Sequence, residues 1–371
     1  MEKYFKDFYK RKKVLVTGHT GFKGSWLTIW LKELGADVLG YSLPPPTEPN
    51  HFSLSHLQDK VQHVIGDIRD FKHICDVYTS YQPQIIFHLA AQPIVRYSYE
   101  IPRETLETNI QGSVNILEAA RLTSSVKSII MITSDKCYEN REQVWGYKEN
   151  DPMGGDDPYS ASKGAAEIVI RSYIRSFFIH KQDVGVASVR AGNVIGGGDW
   201  AKDRIVVDCM KALGKNIPIN VRNPNAIRPW QHVLEPLSGY LWLGARLHED
   251  CKRFSGGWNF GPADSAAKCV SDLVEALIKE WKSGEWVDLS DKNDHKLHEA
   301  GWLRLTCDKA HFMLPWSAVM TFEENISYTV KWYKHFYEHN QSNLYQFSAH
   351  QIREYTKLAF QRGQTWVVQD E

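Results

Sequence analysis

Apolar residues recur along the first half of the chain with two spacings that take turns. Lys13-Val14-Leu15-Val16-Thr17-Gly18 is a short β-branched run that stops at a glycine, and residues 25–35 follow with helical spacing and a glycine stop at Gly35. Asp37-Val38-Leu39-Gly40-Tyr41-Ser42 reads as a second strand, so the chain opens as strand–turn–helix–strand, the start of a parallel doubly wound sheet. The alternation continues, with strands predicted over 61–66, 84–90, 126–133 and 184–190 and helices over 71–81, 105–122 and 158–178. The 126–133 strand is nearly all apolar at its centre, as a sheet covered on both faces requires. The fold class that follows is α/β.

Beyond Arg190 the pattern changes. Gly192-Asn193-Val194-Ile195-Gly196-Gly197-Gly198-Asp199-Trp200 is glycine-dense and loop-like, and residues 223–230 are irregular. Helices are predicted over 233–247, 270–282 and 322–338, the first of them returning to the sheet. At about 150 residues per domain the length suggests two domains. We expect residues 10–190 plus 232–261 to form the sheet domain, and 191–231 with 262–371 to form a smaller mixed α/β region.

Composition narrows the function classes. The 371 residues carry 44 basic and 44 acidic side chains, a balance that argues against a nucleic-acid partner. No apolar run approaches the ~18 residues that a membrane span needs, and residues 1–13 lack the apolar stretch of a signal peptide. The six cysteines are scattered without a C-x-x-C pair, which predicts reduced thiols in a cytoplasmic protein. His335 and His339 stand one helical turn apart, but no third ligand accompanies them, and no metal is expected.

Gly18-x-x-Gly21-x-x-Gly24 lies between the first strand and the first helix. In that context the first glycine permits the tight turn, the middle one lets a pyrophosphate approach the main chain, and the last lets helix pack on strand. The helix N-terminus then offers N–H groups and partial positive charge to the phosphates. The plain alternative is a structural glycine turn. An acidic residue that would bind a ribose is missing from the second strand end, which reads Tyr41-Ser42-Leu43; no Arg stands there either, which favours NAD over NADP. Asp67, after the third strand, lies at the edge where adenine would sit, or else serves as a helix N-cap.

Tyr159 and Lys163 are four residues apart at the start of a predicted helix, hence on one face. An ammonium beside a phenol favours the phenolate, so the pair is expected to lower the tyrosine pKa toward neutrality and make it a base for a hydroxyl proton. Ser134-Asp135-Lys136 ends the fifth strand, on the side where parallel sheets bind ligands. Ser134 can hydrogen-bond a reacting hydroxyl. Asp135 and Lys136 add an acid–base pair that a plain alcohol dehydrogenase does not need; the bland reading is a strand-end salt bridge.

Thr17-Gly18-His19-Thr20-Gly21-Phe22-Lys23-Gly24, His88-Leu89-Ala90-Ala91-Gln92, Asn109, Ser134 and Tyr159-x-x-x-Lys163 together resemble the extended short-chain dehydrogenase/reductase family. Asp135 after Ser134, the 193–200 segment and Arg228-Pro229-Trp230-Gln231-His232-Val233 resemble its sugar-nucleotide 4,6-dehydratases, on the CDP-sugar branch. The resemblance implies a Rossmann-like sheet with a smaller substrate-binding domain, NAD as cofactor, CDP-glucose as substrate and assembly as a homodimer or homotetramer. It implies Ser134, Asp135, Lys136, Tyr159 and Lys163 as catalytic residues. It implies NAD contacts from Gly18, Thr20, Gly21, Phe22, Lys23, Gly24, Asp67, Ile68, Leu89, Ala90 and Ala91, with Tyr159 and Lys163. Relatives usually carry Asp-Glu where this chain has Asp135-Lys136, so the base that removes the sugar C5 proton is left open, with Lys136 or a water it positions as candidates. Arg204 and Arg228 are the candidates for the diphosphate, Asn193 for the diphosphate or sugar, and Arg96 for the sugar. An epimerase or reductase on the same scaffold is the competing function.

Overall fold

The computed structural model describes residues 2–263, 266–290, 302–338 and 344–369. Seven strands form one parallel sheet: β1 (Lys13–Thr17), β2 (Asp37–Ser42), β3 (Gln62–Ile65), β4 (Ile85–His88), β5 (Ser128–Ile132), β6 (Gly185–Arg190) and β7 (Gly256–Asn259). Their spatial order is β3-β2-β1-β4-β5-β6-β7, every neighbouring pair parallel. The order reverses between β1 and β4, the crevice in which doubly wound sheets bind ligands at their C-terminal strand ends. The six strands expected from the pattern are all present. The seventh, Gly256-Gly257-Trp258-Asn259, has no β-branched residue and pairs with β6 from Gly256 to Asn259.

Strand residues alternate between two cores, as a pleat with period two dictates. Val14, Val16, Ile85, Phe87, Ile130 and Val189 face one core, with Trp26 and Trp30 of α1 (Phe22–Glu33) and Leu237 and Leu241 of a later helix. Leu15, Ile86, Ile129 and Val186 face the other. It is filled by Ile74 and Tyr78 of α2 (Phe71–Tyr81) and, further along, by Ile116, Leu117 and Ile170. The short α3 (Val95–Glu100) follows β4. The helix expected over 105–122 is interrupted: Pro102–Leu106 is α-helical, Glu107–Gln111 is a π turn, and α4 (Gly112–Leu122) resumes the α geometry. The widened turn holds buried Asn109, which grips the backbone N–H and carbonyl of Gln92 at 2.9 and 3.1 Å. Helix α5 (Pro158–Ser176) starts with proline behind an Asp157 cap that accepts from Ser160 N at 2.9 Å.

After β6 the chain forms α6 (Ile205–Gly214), then α7 (Leu234–Glu249), which packs back on the sheet, and α8 (Val270–Trp281). The segments read as irregular are tied together by short ladders: Val194–Ile195 pairs with Gln231–His232, and Ile227–Pro229 with Ala267–Cys269. Helices α9 (Phe322–Glu338) and α10 (Leu344–Gln361) complete the chain, with Val367–Gln369 pairing to Glu2–Tyr4. Helix α10 is absent from the sequence reading. Its buried face includes Ser348, Gln351 and Thr356 beside Ile352 and Tyr355, so polar residues blur the apolar stripe. This helix braces the glycine-rich loop. Ser348 Oγ meets His51 Nε2 at 3.0 Å and accepts from Trp332 Nε1 at 2.9 Å. The Trp332 ring occupies the space that a Gly197 side chain would take, and the Trp26 indole donates to the Gly197 carbonyl at 2.8 Å.

Candidate active site

The glycine turn has the division of labour that its spacing predicts. Gly18 is left-handed (φ +76°), and a Cβ on it would lie 2.6 Å from Ala90 N. A Cβ on Gly24 would lie 2.1 Å from the Gly18 carbonyl oxygen, so helix and turn touch there. A Cβ on Gly21 would meet nothing nearer than that same oxygen at 3.4 Å; its outer side is open, a concavity that a side chain would fill. No side chain caps the N-terminus of α1. These features fit a dinucleotide pyrophosphate.

Around the cradle, Leu89 N donates to Thr17 O at 3.0 Å and Ala90 N to Thr17 Oγ1 at 3.3 Å, which fixes 89–91 beside the turn. Where a ribose carboxylate was sought, Thr20 Oγ1 and Ser42 Oγ are 2.8 Å apart, two neutral hydroxyls in place of an acid. The Asp67 carboxylate is engaged by Arg69, whose guanidinium comes within 2.6 Å and holds it below the usual carboxylate range. Ile68 is buried, and its side chain fills the space above Gly112.

At the strand ends, Ser134, Asp135, Tyr159 and Lys163 are all buried together. The Ser134 hydroxyl donates to Asp135 Oδ1 at 2.9 Å, and Lys136 N donates to Ser134 Oγ at 3.3 Å. The backbone N–H of Tyr159 donates to Ser98 Oγ of α3 at 3.2 Å. Lys163 Nζ lies 6.0 Å from the Tyr159 ring centre and 3.5 Å from the Ile132 carbonyl at the end of β5. Gly192 backs this cluster: a Cβ there would lie 1.8 Å from Asp135 Oδ2. Lys136 is half-buried, and its backbone joins the cluster.

The electrostatics depart from the simple expectation of a phenolate. Burial pushes Tyr159 up to about 12, a hydrogen bond with Ser134 and the charge of Arg204 work to lower it, and Asp135 works to raise it. Burial also brings Lys163 down to about 8, against Cys137 and Glu167, so the cation expected to stabilise the phenolate is itself weakened. Lys23 falls to about 8 for the same first reason, with Arg204 lowering it further and Asp135 raising it. Lys23, Asp135, Tyr159, Lys163 and Arg204 therefore share one electrostatic neighbourhood.

On the other side of the cleft, Arg204 stands at the N-terminal boundary of α6 and pairs with Asp199 at 2.9 Å. Asp199 is fixed through its carbonyl, which accepts from Tyr333 Oη at 2.5 Å. Asn193 takes a left-handed φ of 48°, which asparagine tolerates, and its carbonyl accepts from Gln231 N at 3.3 Å. Arg96 reaches across to Asp203 at 3.6 Å, joining α3 to the loop before α6. Arg228 sits further along the rim on the short ladder, opposite Lys268. His335 stacks on Phe347 at 4.2 Å, and His339 lies outside the described residues. Among the described residues no cluster of His, Cys, Asp or Glu suits a metal. The sequence reading missed Glu167 and Arg190, which pair beneath this cluster; their only sequence signal is two opposite charges on elements otherwise bound for the core.

Residues 15–329 match the family described as GDP-mannose 4,6 dehydratase. The chain belongs to this family. It is 50% identical over 334 residues to a CDP-glucose 4,6-dehydratase of Salmonella typhimurium, covering 89% of this chain and 92% of that one. It is 26% identical to dTDP-glucose 4,6-dehydratase 1 of Escherichia coli over 86% of this chain and 92% of that one. Among solved structures, a UDP-glucose 4-epimerase of Thermotoga maritima has the same fold, with a TM-score of 0.73 and 20% identity over 87% of this chain and 98% of that one. So does a dTDP-glucose 4,6-dehydratase of Bacillus anthracis, with a TM-score of 0.72 and 20% identity over 88% and 98%.

Proposed function

We propose that this chain converts CDP-glucose to CDP-4-dehydro-6-deoxyglucose with loss of one water, using NAD as a bound, recycled cofactor. The observation that carries the reading is Asp135 beside Ser134, 2.9 Å apart and backed by the side-chain-free Gly192. A buried acid at the reacting hydroxyls serves elimination; epimerisation at C4 has no use for it. The 50% identity with a relative of that activity supports the nucleotide and the sugar.

What NAD supplies when bound is an acceptor for the C4 hydride that afterwards returns it to C6. Gly18, Thr20, Gly21, Phe22, Lys23, Gly24, Asp67, Ile68 and 89–91 would hold it, from pyrophosphate to adenine. Tyr159 takes the proton of the 4-hydroxyl, and Ser134 hydrogen-bonds that oxygen. Lys163 lends positive charge to the phenol from the next helical turn. The C4 ketone acidifies the C5 hydrogen, which Lys136 or a water it orients removes. Asp135 gives its proton to the 6-hydroxyl, which departs as water, and C5 is reprotonated from the same side chains. Arg204, Arg228 and Asn193 bind the diphosphate, and Arg96 approaches the sugar.

In this reading residues 10–190 plus 232–261 bind NAD, and 191–231 with 262–371 bind the sugar nucleotide. Exposed Leu106, just before α4, and Ile168 on α5 support a homodimer or homotetramer through these helices. A cytoplasmic location is supported by six cysteines that form no disulfide with one another. Among the described residues no helix is long and apolar enough to cross a membrane. The test is incubation with CDP-, dTDP-, GDP- and UDP-glucose followed by mass measurement. Loss of one water from CDP-glucose supports the reading; an unchanged mass for all four overturns it.

A further inference from the structure

We propose that Glu167 is a positioning residue of this site: clamped by Arg190, Thr133 and Ser188, it fixes the strand end that carries Ser134 and sets a carboxylate one helical turn behind Lys163. The proposal rests on the reading above for the roles of Ser134 and Lys163.

Tyr159, Lys163 and Glu167 follow one another at four-residue intervals, one stripe along α5 running from the reacting phenol into the core. The Glu167 carboxylate is buried and fully engaged. It accepts from Thr133 Oγ1 at 2.5 Å, from Ser188 Oγ at 2.7 Å, and from Arg190 Nε and Nη2 at 2.9 and 2.7 Å. Thr133 immediately precedes Ser134, and Ser188 and Arg190 belong to β6, so one carboxylate ties α5 to the ends of two neighbouring strands. Arg190 extends the clamp to the Tyr138 hydroxyl and, at 3.1 Å, to the Glu149 carbonyl. Tyr138 in turn donates to Asn259 Oδ1 of β7 at 2.8 Å. Room for the guanidinium comes from Gly257, where a Cβ would lie 2.5 Å from Arg190 Nη2.

Stability alone is a poor reason for such a pair. Desolvating two charges cancels much of their attraction, and buried ion pairs can often be replaced by apolar residues without loss. The charges that face Lys163 suggest what the pair does instead. Lys23 approaches from α1 with the same sign. His88, on β4, is pushed down to about 3 by burial and is neutral. The Cys137 thiol, itself pushed up by burial, also works to hold Lys163 up. Burial raises Tyr159 as well, which limits the negative charge it presents to Lys163. Although burial works to raise it, Glu167 is held below the usual carboxylate range by Arg190, Thr133 and Ser188, and remains an anion one turn from the ammonium. Its charge opposes the desolvation that drives Lys163 toward neutrality.

The test uses the full-length NAD-loaded protein with ¹³C-labelled lysine, the Lys163 signal being assigned by its loss in Lys163→Met. Glu167→Gln removes the charge but strands Arg190, so Glu167→Gln/Arg190→Met, which removes both charges, guards against simple unfolding. In both variants the NMR titration midpoint of Lys163 is expected to fall by about one pH unit. The alkaline limb of kcat should move down with it, up to tenfold at a fixed pH above the midpoint. A folded double variant with an unmoved Lys163 midpoint, or with the wild-type kcat profile restored, overturns the proposal and leaves a packing role. A shifted midpoint in a protein that leaves every nucleotide-glucose intact supports the coupling and sinks the dehydration reading alone.

Discussion

Three glycines in one turn perform three different tasks, and single methyl groups separate them. Gly24→Ala drives a Cβ to within 2.1 Å of the Gly18 carbonyl, an overlap with backbone that cannot rotate away. It should cost about 2 kcal/mol or more of stability in urea unfolding. Gly21→Ala meets only the Gly18 carbonyl oxygen, at 3.4 Å, in an ordinary backbone conformation (φ −80°). It should leave the unfolding midpoint nearly unchanged while weakening NAD binding at least tenfold, measured by nicotinamide fluorescence on titration with NADH. Equal loss of stability in the two variants would remove the cradle from the account. Tyr159→Phe keeps the ring and deletes the hydroxyl, so kcat should drop by roughly 10²- to 10⁴-fold with KM little altered. A variant that retains a tenth of the activity would show that another group takes the proton.

Secondary-structure elements act here by delivering side chains to the sheet's C-terminal edge and by bracing the loops that face it. The π turn at Glu107–Gln111 sets Asn109 against Gln92, and Asn109 Nδ2 donates to Ser162 Oγ at 2.8 Å, which locks the loop after β4 to α5. Beside the glycine-rich loop the brace is α10. Ser348→Ala leaves the buried Trp332 indole N–H without its acceptor and deprives His51 of its partner. The expected cost is about 1–3 kcal/mol in chemical unfolding. Because Trp332 packs on Gly197 and its neighbour Tyr333 holds Asp199, the salt-bridge partner of Arg204, KM for the sugar nucleotide should rise more than kcat falls. A variant as stable as the parent with unchanged KM would show that α10 is not coupled to the loop.

Across the whole molecule, Glu235 links the sheet layer to the C-terminal region. Buried at the start of α7, it accepts from Val319 N and Tyr355 Oη at 2.9 Å and from Met320 N. Burial pushes it up to about 7 from an ordinary 4.5, against the pull of those donors. Between these values the folded chain holds a proton that the unfolded chain has released. This carboxyl therefore takes stability away as pH rises through that window, by about 3 kcal/mol in full. Urea unfolding of Glu235→Gln from pH 4.5 to pH 7 should lose that much less stability than the parent; parallel curves for the two would contradict it.

The sheet and its phosphate turn were legible in the sequence because both depend on local rules: β-branched runs, glycine spacing and helical period. The cluster at the strand ends was legible too, since Ser134, Tyr159 and Lys163 sit at positions that topology must bring together. What stayed hidden depends on three-dimensional neighbours. Strand β7 is specified by its pairing with β6 rather than by propensity, and α10 by partners for its polar buried residues. The expectation that Lys163 would pull Tyr159 toward neutrality failed at the same point, since burial acts on both groups and only the fold reveals its extent.

In the proposed reaction one hydride leaves C4 and comes back at C6 within a single site. CDP-glucose deuterated at C4 tests it directly, with the product read by NMR and mass. The expected product is a CDP-4-dehydro-6-deoxyglucose that carries the deuterium in its C6 methyl group. Deuterium retained at C4 of an epimerised sugar, or lost to water, would contradict it.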